Sequence, residues 1–323
     1  MVQGQTKRSN GRKPANYTYA VPSRDGRDSM GESLHNTMES VCSMTNPFCP
    51  AAKGSKIPDD DSANSIAITI KDTHLFSTDA NGLCAFSVQP ELDAVTRSAT
   101  TFTDGVPTVY GASTGVAEFA SYNLAFDQYR IVSFGVRVYS TLSPTEQSGA
   151  MRFMTSARRA TAGMPLSGGL FDSVDTYPIS GADIHWVSKP AGSTWKEYKN
   201  FDVLSEYNAL NVYIYGAKAS AADAITVEIV FNIECTVNIG GVSAAMSTPG
   251  ADHNPLALTA ASKTHSKHSG VHHRTSFFGT LWGHAKSALL DTASTFLPGM
   301  AGAAARAIFG GRRPAYSAPQ IVD

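Results

Sequence analysis

The chain has 323 residues, enough for one large β domain or two smaller ones and for a sizeable core. Only 16% of its residues are charged and 42% are hydrophobic, which is light on charge for a soluble monomer and points to a surface that meets other protein. Four scattered cysteines, Cys42, Cys49, Cys84 and Cys235, exclude a secreted disulfide framework and suit a reducing cytosol, and the polar N-terminus carries no signal-peptide core.

The net charge of -1 conceals an asymmetry. Residues 1–28 set Lys7, Arg8, Arg12, Lys13, Arg24 and Arg27 against Asp25 and Asp28, whereas residues 262–313 set Lys263, Lys267, Arg274, Lys286, Arg306, Arg312 and Arg313 against Asp291 alone. The middle is acidic. Basic ends on an acidic body predict ends that contact phosphate without sequence readout, and Lys7, Arg8, Arg12, Lys13, Arg24, Arg27, Lys263, Lys267, Arg274, Arg312 and Arg313 are the candidate RNA-binding residues. The bland alternative is a pair of solvated tails.

In chain order, residues 1–60 are rich in Ser, Gly, Asn and Pro without sustained periodicity and read as a basic, mostly extended arm. A shell domain is expected over 61–240. It opens with alternation, Ile66, Ile68 and Ile70 facing one way and Ala67, Thr69 and Lys71 the other. After the turn pair Asn81-Gly82, Cys84, Phe86 and Val88 alternate up to Pro90. Residues 91–115 read as a long connection and 116–126 as a short helix. A central strand follows, with Val132, Phe134, Val136 and Val138 on one face. Further strands are predicted at 150–156, 182–187, 195–201 and 210–215. The clearest strand is last: Ile225, Val227, Ile229, Phe231, Ile233, Cys235 and Val237 alternate with a mostly polar set, a pattern no helix could bury.

Eight strands with uneven loops and no βα repeat predict an all-β, eight-stranded antiparallel jelly-roll sandwich. Residues 241–275 read as a flexible Ser/Thr/His-rich linker, 276–311 as an amphipathic helical segment and 312–323 as a C-terminal tail. On that helix Phe278, Leu281, Trp282, Ala285, Leu289, Thr292 and Phe296 share a face opposite His284, Ser287, Asp291 and Ser294, and Pro298-Gly299 ends it. His284, Lys286 and Asp291 exclude a comfortable membrane span and favour an interfacial helix, with Phe277, Phe278, Leu281, Trp282, Leu289 and Phe296 as the membrane-facing set. The competing reading packs the helix under a shell. His265, His268, His272, His273 and His284 crowd the same tail, so acid would add positive charge there near pH ~6.5.

The run FASYNLAFDQYRIVSFGVRVYSTLSPTEQSGAMRF at 119–153 resembles the helix and following strands of nodavirus and tombusvirus-like capsid proteins. NPFCPAAKGSKIPDD at 46–60, WKEYKNFD, ALNVYIYGA and ITVEIVFNIE are similar to other stretches of the same group, so that the likeness covers about residues 46–238. The segment 276–311 resembles the C-terminal lytic peptide of nodaviruses, with an early Trp, a Lys-Ser pair and a Pro-Gly. The resemblance implies a coat protein that assembles into an icosahedral shell, located in the virion and, during assembly, in the host cytoplasm, packaging RNA and breaching a host membrane. In nodaviruses that peptide is severed at an Asn whose side chain attacks its own carbonyl, whereas here no Asn follows Asn254. Asn254-Pro255 is the remaining candidate bond, and the expectation is a chain without enzymatic activity. The resemblance also implies Ca²⁺ between subunits, for which Asp59, Asp61, Asp172 and Asp175 are candidates.

Two rivals come from other classes. One is a cellular jelly-roll binding module of the lectin kind. The other is a serine hydrolase, because Gly111-Ala112-Ser113-Thr114-Gly115 matches G-x-S-x-G.

Overall fold

The computed structural model describes residues 28–296 apart from 62, 104–105, 157–159, 161–174, 191, 193, 204, 238–244 and 269. The helices are α1 (Asp28–Thr45), α2 (Phe119–Ala125), α3 (Pro255–His268) and α4 (Arg274–Phe296). The strands are β1 (Ser65–Phe76), β2 (Cys84–Val88), β3 (Thr96–Thr103), β4 (Val106–Thr114), β5 (Phe126–Ser140), β6 (Ala150–Ser156), β7 (Asp175–Pro178), β8 (Asp183–Val187), β9 (Ala209–Tyr215), β10 (Ile225–Val237) and β11 (Gly270–His273).

The alternation of β10 organises the sandwich. Ile225, Val227, Ile229, Phe231, Ile233 and Cys235 all point into the main core, while β1 and β5 pair with β10 on either side, antiparallel. The sheet continues through β8 to β11 in the order β1-β10-β5-β8-β11, and the second sheet runs β4-β3-β2-β9-β6-β7. From β7 to β10 each strand lies in the sheet opposite its predecessor, so every link passes from one sheet to the other. Aromatic rings fill the gap: Phe76 of the first sheet stacks on Phe86 of the second at 4.2 Å, and Phe134 packs against both Phe231 at 4.5 Å and Trp186 at 5.9 Å.

A helical layer covers the outer face of the five-stranded sheet. Met38, Val41 and Met44 of α1, Ala257, Ala260 and Ala261 of α3, and Ala285, Ala288 and Leu289 of α4 form one buried cluster with Val132 of β5. The alanines let α3 and α4 approach closely. Phe277 and Leu281 of α4 close a second cluster on Val187 of β8.

Several sequence expectations change. Eleven strands, not eight, occur among the described residues. The connection expected over 91–115 contains β3 and β4, whose alternation is masked by register shifts around Ala99 and Thr101. Residues 195–201 are not a strand; their backbone meets β5 in the isolated bridge Tyr129–Lys199. The arm expected to be extended contains the 18-residue α1, and the linker expected over 241–275 contains α3 and β11. Val132 does not share the face of Phe134. Ser133 pairs with Asn232 and Ile131 with Ile233, so Val132 is the extra residue of a β-bulge and turns outward to the helices. The second face of β10 is covered too: Asn232 and Glu234 are buried, not solvated.

Candidate functional site: the layer between sheet and helices

Covering a polar sheet face with helices requires each buried polar group to find a partner. Arg130 of β5 and Glu234 of β10 are register partners on that face, and the Arg130 side chain is 1% exposed and that of Glu234 0%. The guanidinium donates to Glu234 Oε2 at 2.9 Å through Nε, to both Asp59 oxygens, and to the Lys196 carbonyl at 2.9 Å, with its plane 4.3 Å from the Tyr198 ring centre. Burial opposes the charge, but the Asp59 hydrogen bond and the nearby Glu234 outweigh it and raise the Arg130 pKa above its ordinary value. Glu234 also accepts from the Ser65 hydroxyl and from the Ile57 N–H. The centre thus ties residues 57–65 to the sheet. A second, more exposed pair lies along the same strands, where Arg137 donates bidentately to Asp183 at 2.7 and 2.9 Å and to its register partner Glu228 at 3.0 Å.

This arrangement corrects the calcium expectation for Asp59, whose two oxygens are taken by Arg130. An Asp61 oxygen accepts from the Ala63 N–H, Asp175 is exposed at the start of β7, and Asp172 lies outside the described residues. Among the described residues no group of three His, Cys, Asp or Glu side chains could hold a metal ion.

The tail residues divide. Lys263 pairs with Asp291 at 2.6 Å across α3 and α4, and Lys267 is exposed on α3. Arg274 begins α4, and Lys7, Arg8, Arg12, Lys13, Arg24, Arg27, Arg312 and Arg313 lie outside the described residues, with the segment 312–323. Of the expected membrane-facing set, Phe277, Leu281 and Leu289 are buried against protein. Trp282 is 46% exposed, with the Lys286 ammonium 5.4 Å from its ring centre. Phe278 and Phe296 belong to α4, but their side chains, like Pro298 and Gly299, lie outside the described residues. The packed stripe is therefore 277, 281, 285, 288, 289 and 292, rotated from the one expected. No helix among the described residues is long and apolar enough to cross a membrane.

His265 is buried between α1 and α3, where desolvation lowers its pKa to about 4 against an opposing hydrogen bond to the Met44 backbone. It therefore does not gain charge near pH ~6.5 as the tail histidines were expected to. Asn254 is a helix cap. Its Oδ1 accepts from the Ala257 N–H at 3.0 Å, its Nδ2 donates to the Thr37 hydroxyl at 2.9 Å, and Pro255 takes the first helical position, so the side chain expected as a cleavage candidate is engaged in holding α3 to α1. Ser113 lies inside β4 opposite Arg97, in an antiparallel sheet and not at a strand-to-helix elbow.

Sequence reasoning missed Arg130 and Glu234. The signal was present as single charges within apolar strands, but it becomes legible only once the register sets them opposite one another.

No known family profile matches this chain, and no curated protein matches it. Solved structures do. A chain of the T13 particle of infectious bursal disease virus superposes with a TM-score of 0.57 at 10% identity, covering 82% of this chain and 100% of that one. A chain of the infectious bursal virus derived T=1 particle gives 0.50 at 12% identity, covering 80% and 96%, and the Gt strain of infectious bursal disease virus gives 0.53 at 10% identity, covering 74% and 98%. At such identities what is shared is the fold: this chain has the fold of proteins found in icosahedral virus particles.

Proposed function

We propose that the chain is the coat protein of an icosahedral RNA virus, self-assembling through its sandwich, packaging RNA with its basic terminal segments and acting on a host membrane with the C-terminal segment. One observation carries this reading: the likeness to icosahedral-particle proteins covers 82% of the chain and the whole length of the matched one. The sheet orders β1-β10-β5-β8 and β7-β6-β9-β2 support a jelly roll of eight strands, to which β3, β4 and β11 are additions. The low charge fraction supports extensive contact between copies. For RNA, support comes from the clustering of bases at the two ends, with Lys267 exposed on α3. For the membrane, support comes from the sequence likeness of 276–311 to a lytic peptide and from the half-exposed Trp282 beside Lys286. That likeness and the 119–153 run are also the grounds for a nodavirus-like placement.

Electron microscopy of the purified full-length protein tests the reading. Uniform shells holding nuclease-protected RNA are expected, with RNA lost steeply as salt rises; monomers at every concentration and salt would overturn it. A synthetic peptide of residues 274–311 is expected to leak liposomes, and intact liposomes would remove the membrane role alone.

A further inference from the structure

Cys42 lies in the last turn of α1 and Cys49 just before the one-turn 3₁₀ helix Pro50–Ala52. Their sulfurs are 2.7 Å apart, Cys42 donating to Cys49, which is within ~0.7 Å of a disulfide bond length. The approach is built into the backbone between them. The Asn46 N–H donates to the Cys42 carbonyl at 2.8 Å, the Cys49 N–H to the Asn46 carbonyl at 3.0 Å, and the Phe48 N–H to Asn46 Oδ1 at 3.0 Å. This elbow joins the helical layer to the sheet: Asn232 Nδ2 donates to the Pro47 carbonyl at 3.1 Å, and the Phe48 ring packs 4.7 Å from His185 and 6.0 Å from Phe277. Cys42 is buried and Cys49 half-buried, so Cys49 is the more accessible of the pair to a reagent.

We propose that Cys42 and Cys49 form a reversible modification site, a dithiol that closes to an intramolecular disulfide on meeting a disulfide oxidant of the glutathione-disulfide class, and so fastens α1 to the elbow.

The chemistry balances without any further reactant. The Cys49 thiolate attacks one sulfur of the oxidant, making a mixed disulfide and expelling one glutathione thiolate, which takes up a proton. The Cys42 thiol then loses its proton and attacks Cys49 Sγ, expelling the second glutathione; two cysteines are oxidised and one oxidant disulfide is reduced. The local electrostatics fit this division of roles. The hydrogen bond from Cys42, helped by the Ala51 and Ala52 backbone and opposed by burial, lowers the Cys49 pKa to about 6. The same hydrogen bond and burial push Cys42 up, which fits a sulfur that acts second. Cys84 and Cys235 sit in the sandwich core, where burial pushes both thiols up, and neither has a place in this reaction. A chain made in a reducing cytosol would carry the open dithiol and close it after leaving the cell.

The test uses full-length protein incubated with glutathione disulfide at neutral pH, alkylated and digested with trypsin, because residues 28–53 form one tryptic peptide holding both cysteines. The wild-type peptide is expected to lose ~2 Da with no glutathione retained, whereas C42S keeps a glutathione adduct of ~305 Da on Cys49 and C49S leaves Cys42 unreacted. The oxidised wild type is expected to melt about 5 °C above the reduced form, a shift absent in C49S. A wild-type peptide that retains both thiols, or that accumulates the mixed disulfide, overturns the proposal, as does a disulfide that leaves the melting temperature unchanged.

Discussion

Replacing Arg130 by alanine removes the only cation that touches both Asp59 and Glu234 among the described residues. The lost contacts are a 2.9 Å charged bond to Glu234, the pair of bonds to Asp59, a bond to the Lys196 carbonyl and the stacking on Tyr198. A hydrogen bond to a charged group is worth about 1.5 to 3 kcal/mol, but these share one side chain and do not add. The larger effect is on what stays behind, since Glu234 is fully enclosed and loses the cation paired with it. Breaking a buried pair in this way costs about 3 to 5 kcal/mol, a large part of a typical domain's stability of roughly 5 to 15 kcal/mol. Urea unfolding followed through the buried Trp186 reads the loss directly. A companion variant carrying Asp59→Asn, Arg130→Met and Glu234→Leu removes all three charges and is expected to be more stable than R130A, because apolar replacement of an entire buried cluster is close to neutral. A loss below about 1 kcal/mol in R130A, or a triple variant less stable than the single one, would refute the assignment of Arg130 as the tie between the sheet and residues 57–65.

Val227→Asp puts a carboxylate where a fully buried side chain faces the sandwich core, and particles are expected to be absent when the soluble fraction is imaged. Gly135→Val places a Cβ 2.4 Å from Pro47 Cγ and 2.9 Å from the Trp186 carbonyl, so the elbow must shift; a loss of about 1 to 3 kcal/mol in urea unfolding is expected, with faster proteolysis in α1. His265 is held at about 4 in the fold, with Lys189 adding to the effect of burial, while the unfolded chain takes up a proton near ~6.5. A lowered pKa on a base means that the unfolded state binds the proton first. Its contribution is therefore intact above pH ~6.5 and falls by about 3 kcal/mol on the way to pH 4, and H265Q should flatten that part of the stability profile measured by unfolding at pH 7 and pH 4.5.

The strands that could be read from the sequence are those in which one face is apolar and the register uninterrupted. In β10 six alternating side chains reach the core and nothing local competes. β5 is legible as a strand but the facing of Val132 is not, because a bulge shifts the side-chain alternation by one residue and leaves no mark in hydropathy. α1 was hidden by its composition, although Met38, Val41 and Met44 recur at helical spacing and all are buried. The cap of α3 is legible as Asn-Pro, since an Asn side chain can accept from the first turn and Pro suits the first helical position, the same pair that offers a cleavage candidate. The Arg130 centre could not be read at all before the topology, since Asp59, Arg130 and Glu234 are brought together by long-range pairing from three distant stretches of chain.

Phe277, Leu281 and Leu289 cannot serve two partners at once. They are 0%, 3% and 0% exposed, and the surfaces they cover on β8, α1 and α3 are themselves apolar. Lifting α4 away would return both sides to water at a cost of roughly 25 cal/mol for each Å² of apolar surface, so helix release without a membrane to receive it is strongly opposed. A membrane role therefore requires two steps in order, a loosening of the layer and then insertion of the freed stripe. The contacts that hold the layer fix where loosening can begin: the Lys263–Asp291 pair between α3 and α4, the bond from the α3 cap Asn254 to Thr37 of α1, and the buried, neutral His265. Of these only His265 is both buried and titratable, and its pKa of about 4 keeps it neutral in mild acid while the layer is packed; once the layer loosens, protonation opposes its return to the seam between α1 and α3. The helical layer is thus both the stabilising floor of the sandwich and the element whose removal would expose its most apolar stripe.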